Sequence, residues 1–175
     1  RSQLQTTLDM KQSFTQLKGK LTGAFHEGET MRKLYATDAS VYRELPLAVA
    51  IPDCEDDIQA LIEFANENGC GLIPRAAGTS LAGQVVGSGI VLDISKHFTK
   101  ILEVNAEEKW VRLQPGVIRN ELNAHLKPYG LFFGPETSPQ NRAMIGGMVG
   151  NNSCGSNSIV CGTTRDHLLE TKGFL

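Results

Sequence analysis

IPRAAGTSLAGQ, residues 73–84, sets an arginine beside a run of very small residues, with two hydroxyls and a second glycine before the closing glutamine. Small side chains leave amide N–H groups uncovered, and glycine accepts tight-loop backbone angles at little cost. The stretch therefore suits a place where backbone comes close to a charged group. The same composition also serves as a plain turn between two elements. The flanking sequence has to decide.

On the N-terminal side, PLAVAIP lies between prolines and reads as a short buried strand. Asp53 and Asp56 occupy the N-cap and third positions of a predicted helix, with Cys54, Ile58, Leu61, Ile62 and Ala65 on one face and Gly69 at its end. GLIP is then a second strand, so the loop leaves a β-α-β unit at the carboxyl edge of a sheet, where ligands commonly bind. Further upstream, Leu4, Leu8, Phe14, Leu17 and Leu21 fit an imperfect amphipathic helix, and Asp38 and Ser40 can cap or turn the chain. Downstream, GSGIVLDIS and KILEVNAEEKWVRLQPG read as three strands, the last two joined by a polar turn at residues 106–109, with Trp110 in the core. A helix over residues 117–126 buries Ile118, Leu122 and Leu126, leaves Arg119 exposed and His125 packed or at the surface, and stops at Pro128 and Gly130.

The 175 residues suit one domain, or two small subdomains, that bury about 70% of the unfolded chain's surface. A net charge of -2 gives no general attraction to nucleic acid or anionic lipid. No apolar run is long enough to span a bilayer and no cleavable leader opens the chain, so the expected setting is cytoplasmic, with peripheral membrane attachment of the full-length protein as the alternative. Cys54, Cys70, Cys154 and Cys161 form no C-x-x-C pair and no zinc-finger spacing, which predicts four free thiols and no metal. Arg1 at the start and TKGFL at the end predict that the natural protein is longer.

LFFGPETSPQNRAMIGGMVGNNSCGSN, residues 131–157, forms a second glycine-rich cluster in which asparagine and serine supply both donors and acceptors. Two such clusters suggest convergence on one extended, partly flat cofactor. Neither contains G-x-x-x-x-G-K-[ST], nor G-x-G-x-x-G after a strand, so ordinary ATP and NAD folds lose ground.

With both clusters in view, the chain from Pro46 onward resembles the FAD-binding domain of the vanillyl-alcohol oxidase and p-cresol methylhydroxylase superfamily, in its D-lactate dehydrogenase and glycolate oxidase D-subunit branch. PRAAGTSLAGQ resembles the pyrophosphate loop P-R-G-G-G-T-S, and MIGGMVGNNSCG resembles I-G-G-x-x-x-x-N-x-G-G. The resemblance implies an α+β fold of two α/β subdomains with the cofactor between them, truncated in the second. Residues 1–45 would be a helical lead-in, 46–98 the first subdomain and 99–175 an incomplete second one. It further implies that Pro74, Arg75, Ala76, Ala77, Gly78, Thr79, Ser80 and Gly83 hold the FAD diphosphate, with Arg75 alternatively structural. Pro135, Glu136, Thr137, Ser138, Met144, Ile145, Gly146 and Gly147 would lie near the isoalloxazine and ribityl chain, and Asn151, Asn152, Ser153 and Gly155 would complete the pocket. Gly162 and Asp166 match Y-G-x-x-x-D, with Asp166 either touching FAD or capping the local turn.

Two positions depart from the family pattern. Ala76 and Ala77 replace glycines, so their backbone angles are expected to be ordinary, and Thr79 stands where covalent-flavin members carry histidine, so FAD should bind noncovalently. The resemblance implies a full-length enzyme that oxidises a D-2-hydroxy acid by hydride transfer to FAD and passes electrons to an acceptor. The catalytic base and substrate arginines would lie beyond this chain. YATDASVYRELP, FGPETS and TTRDHLLE resemble the subset fused to an iron-sulfur domain, and an unpaired sheet edge would favour a homodimer. Alternatives are a flavin-dependent UDP-N-acetylenolpyruvoylglucosamine reductase-like enzyme and a cofactor-free interaction module.

Overall fold

The computed structural model describes the backbone of residues 3–139 and 141–174, with side chains from residue 12 onward except at position 140. Helix α1 (Gln3–Lys20) fulfils the N-terminal expectation and buries Phe14 and Leu17, while the side chains of Leu4 and Leu8 lie outside the described residues. Strand β1 (Ala24–His26) and the short helix α2 (Glu29–Leu34) follow. Neither was legible in the sequence, because both are too short to show a period.

Strand β2 (Ala48–Ile51), helix α3 (Glu55–Asn68) and strand β3 (Leu72–Arg75) form the expected β-α-β unit. Strand β4 (Ile90–Asp93) inserts between β2 and β3, parallel to both, and β1 pairs antiparallel with β2, giving the order β1-β2-β4-β3. All four residues of β2 and of β4 are buried. This explains the apolar runs over residues 48–51 and 90–92, since a parallel sheet covered on both faces has no polar side, with only Asp93 at the carboxyl end of β4 charged. Ala48, Ala50, Ile90 and Leu92 face Phe14, Phe25, Leu61 and Phe64 from α1, β1 and α3, whereas Val49, Ile51 and Val91 face Met31 and Tyr35.

The start of α3 corrects the capping assignment. Cys54 is the N-cap and makes no side-chain cap bond, and the acidic residue that matters is Asp57, 2% exposed. Its carboxylate accepts the N–H groups of Asp53, Thr22 and Gly23, each at 2.8 Å, so it ties the helix to the turn before β1. On the helix face Leu61, Phe64 and Ala65 are buried and Cys54, Ile58 and Ile62 only half so. Gly69 ends α3 at φ 63°, as its left-handed cap position requires.

A second core lies beyond. The hairpin of β5 (Ile101–Asn105) and β6 (Trp110–Leu113) packs with α4 (Arg119–Leu126) and α5 (Ile145–Gly150) around Val117, Leu122, Leu126, Ala143, Ile145 and Met148. Trp110 is half-buried rather than core: it sits at the hairpin turn, where its ring N–H donates to Glu108 at 2.6 Å. Helix α6 (Ser158–Cys161) and a 3-10 turn (Thr164–His167) close the described chain. Among the described residues no helix is long and apolar enough to cross a membrane.

Candidate functional site

The first glycine-rich loop leaves β3 at the carboxyl end of the parallel strands, level with Asp93 at the end of β4. Arg75 turns its guanidinium beneath the loop, donating from Nη1 to the carbonyl of Thr37 at 2.8 Å and stacking 5.2 Å from the Tyr35 ring centroid. The Tyr35 hydroxyl donates to Asp93 at 2.6 Å. Burial first, and then this hydrogen bond, push the phenol above its ordinary pKa. Arg75 is thus a structural strut as well as a loop residue.

Gly78 has φ 65°, and a Cβ there would stand 2.4 Å from Arg75 Nη2, so both conformation and space demand glycine. Ala76 and Ala77 do not share the positive φ, in line with expectation. Gly83, at φ 72°, lies against the Tyr42 ring. Ser80 donates to Gln84 at 2.8 Å and accepts the N–H of Ala82. Among the described residues the amide N–H groups of Ala77, Gly78, Thr79 and Ser80 have no acceptor within the protein. Adjacent open amides in a tight loop are available donors for an oxyanion.

The second cluster is held by α4. Arg119, expected on an exposed face, is only 6% exposed. Its Nε donates to the carbonyl of Pro135 at 2.7 Å, and Nη2 reaches that of Phe133 at 3.5 Å. The reason is local: the segment carrying Pro135 folds back over the start of α4, and its carbonyls need buried donors. Asn123 adds a reciprocal pair with the backbone of Phe133. Gly155 packs against the Glu136 carbonyl, and Glu136 accepts from Asn157 at 2.9 Å. Thr137 Oγ1 is buried with no hydrogen-bond partner among the described residues, while Ser138 is exposed.

Met144 bridges to Ile118, Ile145 is buried, and the N–H of Gly146 donates to Pro115 at 2.8 Å. Gly147 faces the first loop, since a Cβ there would lie 3.8 Å from that of Ala76. Asn151 accepts from Gln84 at 2.8 Å, a second tie between the two clusters. Asn152 adopts φ 47° and accepts the N–H of Arg165, and the carbonyl of Ser153 accepts the Thr164 hydroxyl, so both brace the chain behind the cluster. Gly162 has φ 72°. Asp166 caps its own turn: the backbone N–H and hydroxyl of Thr163 donate to it and hold its carboxyl below the ordinary pKa.

A cavity of about 350 Å³ is lined by residues of both halves, among them Tyr35, Arg75, Ala76, Ala77 and Asp93 from the first and Ile118, Arg142 and Met144 from the second. Tyr35, Asp93 and Arg142 were missed in the sequence. Asp93 had a signal, a carboxylate at the carboxyl end of an apolar strand, whereas Tyr35 and Arg142 had none. Cys54, Cys70, Cys154 and Cys161 are unpaired, and the described residues contain no group of three or more His, Cys, Asp or Glu that could hold a metal ion.

Comparison with known proteins places this geometry. The chain is 45% identical over 147 residues to a D-2-hydroxyglutarate dehydrogenase of Pseudomonas putida, a match covering 82% of this chain and 15% of that protein. It is 32% identical to glycolate oxidase subunit GlcD of Bacillus subtilis, covering 93% of this chain and 35% of the subunit. It therefore spans well under half the length of either relative. A solved p-cresol methylhydroxylase with substrate bound superposes with a TM-score of 0.71 at 14% identity, over 82% of this chain and 30% of that one, which shows a shared fold. The family described as the FAD binding domain matches residues 46–174, from the proline before β2 through both glycine-rich clusters, and the chain belongs to that family.

Proposed function

We propose that the protein containing this chain is a flavoenzyme that oxidises a small D-2-hydroxy acid, of the D-2-hydroxyglutarate, D-lactate or glycolate class, with FAD held noncovalently in the cleft between the two clusters. The observation that carries the reading is a loop with four open amides, of which Ala77 borders a cavity whose wall also includes Arg142 and Met144 of the second cluster. The names of the relatives direct the choice of substrate.

The residues present fit the cofactor. Ala77, Gly78, Thr79 and Ser80 offer N–H donors for a diphosphate, within a loop whose shape Pro74, Arg75, Ala76 and Gly83 maintain. Thr137 Oγ1 is a buried hydroxyl awaiting an acceptor, on the segment assigned to the flavin ring with Pro135, Glu136 and Ser138. Met144 lines the cavity, Ile145 and Gly146 pack behind it against the second core and Pro115, and Gly147 faces Ala76 of the first loop. When bound, FAD supplies the hydride acceptor. The chain's own contribution is to bind and orient it: Asn151 and Gln84 close the two clusters together, while Asn152, Ser153, Gly155, Gly162 and Asp166 keep the second in register.

The same reading divides the chain into a lead-in at residues 1–45 and subdomains at 46–98 and 99–175, places the base and substrate arginines elsewhere in the full-length protein, and extends to an iron-sulfur domain, a separate electron acceptor, a homodimer and a cytoplasmic or membrane-peripheral setting. Purified full-length protein should be yellow, release FAD on denaturation, and lose its flavin colour anaerobically with one of these acids. Gly78→Val should deplete the flavin. A colourless wild-type protein, or flavin that no such acid reduces, would overturn the reading.

A further inference from the structure

Arg142 belongs to neither glycine motif, yet it lines the same cavity as Ala76 and Ala77. Its backbone is pinned: its N–H and that of Ala143 both donate to the carbonyl of Pro139, at 2.9 and 2.7 Å, and the carbonyl of Ala143 accepts from the N–H of Arg119 at 2.9 Å. The neighbour Ala143 is buried and Met144 bridges to Ile118, so the turn has little freedom to move the arginine away from the cleft.

The other charges of the cavity are already engaged. Asp93 accepts from the Tyr35 hydroxyl at 2.6 Å and from the N–H of Ser95 at 2.8 Å. Arg75 is committed to Thr37 and the Tyr35 ring. Arg142 makes no side-chain hydrogen bond or ion pair among the described residues. An exposed guanidinium with five donors, on the wall of the same cavity as the open amide of Ala77 and free of any internal carboxylate, has the chemistry of an oxyanion clamp.

We infer that Arg142 is a binding residue for the diphosphate of the dinucleotide, closing over it from the second cluster while the amides of Ala77, Gly78, Thr79 and Ser80 hold it from the first. This rests on the FAD reading above and adds a residue and a charge to it. The cation offsets the diphosphate's negative charge, which amides alone only solvate.

The test uses apo-protein prepared from the full-length chain, titrated with FAD and, separately, with riboflavin, which has the ring and ribityl chain but no phosphate. Arg142→Gln should weaken FAD about tenfold or more, the loss expected for a charge-assisted hydrogen bond. Riboflavin affinity should stay unchanged, and Arg142→Lys should recover part of the FAD loss. The FAD defect should shrink as salt is raised, since screening weakens the wild-type attraction. Arg112→Gln, at an exposed hairpin residue that pairs with Glu103 and does not line the cavity, removes the same charge and should leave both affinities intact. Unchanged FAD affinity in Arg142→Gln, or an equal loss for riboflavin, overturns the proposal. An unchanged FAD affinity with a raised KM for the hydroxy acid would assign Arg142 to the substrate carboxylate instead. Wild-type protein that binds neither flavin would sink the FAD reading itself, an outcome distinct from a variant-specific null.

Discussion

Arg119 Nε donates to the carbonyl oxygen of Pro135 at 2.7 Å across sixteen residues of sequence, with the guanidinium buried. One side chain thereby fixes the segment from Phe133 to Glu136 against the start of α4. Arg119→Met should leave the Pro135 carbonyl without a donor and the Phe133 carbonyl with Asn123 alone, and destabilise the fold by about 2–4 kcal/mol. Urea unfolding measures this, and a midpoint equal to wild type would contradict it.

Thr137→Val should act with opposite signs on stability and on binding. The hydroxyl is buried without a partner, so removing it from the ligand-free protein should be neutral or stabilise by about 1 kcal/mol. If the hydroxyl meets FAD, the same change should weaken FAD about three- to tenfold. Thermal unfolding of apo-protein and FAD titration read the two effects separately.

Gly146 and Gly150 lie at opposite ends of one short helix and should respond differently to alanine. A Cβ at Gly146 would meet Pro115 Cβ at 2.5 Å and its carbonyl oxygen at 2.9 Å, whereas one at Gly150 meets nothing within 4 Å. Gly146→Ala should cost about 1–3 kcal/mol through overpacking. Gly150→Ala should be neutral or gain up to about 1 kcal/mol from helix propensity. Chemical denaturation of the pair decides.

Asp57 should make stability sensitive to acid. Burial alone would raise its carboxyl pKa, but the N–H groups of Asp53, Thr22 and Gly23, with the Thr22 hydroxyl, together outweigh burial and hold it below the ordinary 3.8. A depressed folded-state pKa means that the contribution is present above the unfolded value and is lost as pH falls through the folded one. Asp57→Asn should therefore lower stability at neutral pH and flatten the acid limb of the stability profile. An unchanged acid limb would show that the titration lies elsewhere.

Much of the architecture was written in local pattern. The apolar runs AVAI and IVLD, the punctuation by Gly69 and the polar turn at residues 106–109 determined strands, helix and hairpin, because turn chemistry and side-chain period act over a few residues. The small-residue run of the first loop likewise signalled uncovered backbone, and four successive amides there have no acceptor among the described residues. What only the tertiary structure decided was which groups meet: β4 inserted between β2 and β3, Asp57 rather than Asp53 or Asp56 tying α3 to β1, Arg75 turned beneath its own loop, and Arg119 buried behind Pro135. These depend on partners fourteen or more residues away in sequence, such as Tyr35 and Asp93, separated by 58. Buried hydrogen-bonding groups take whatever partner the packed chain brings to them, and no local period records that choice.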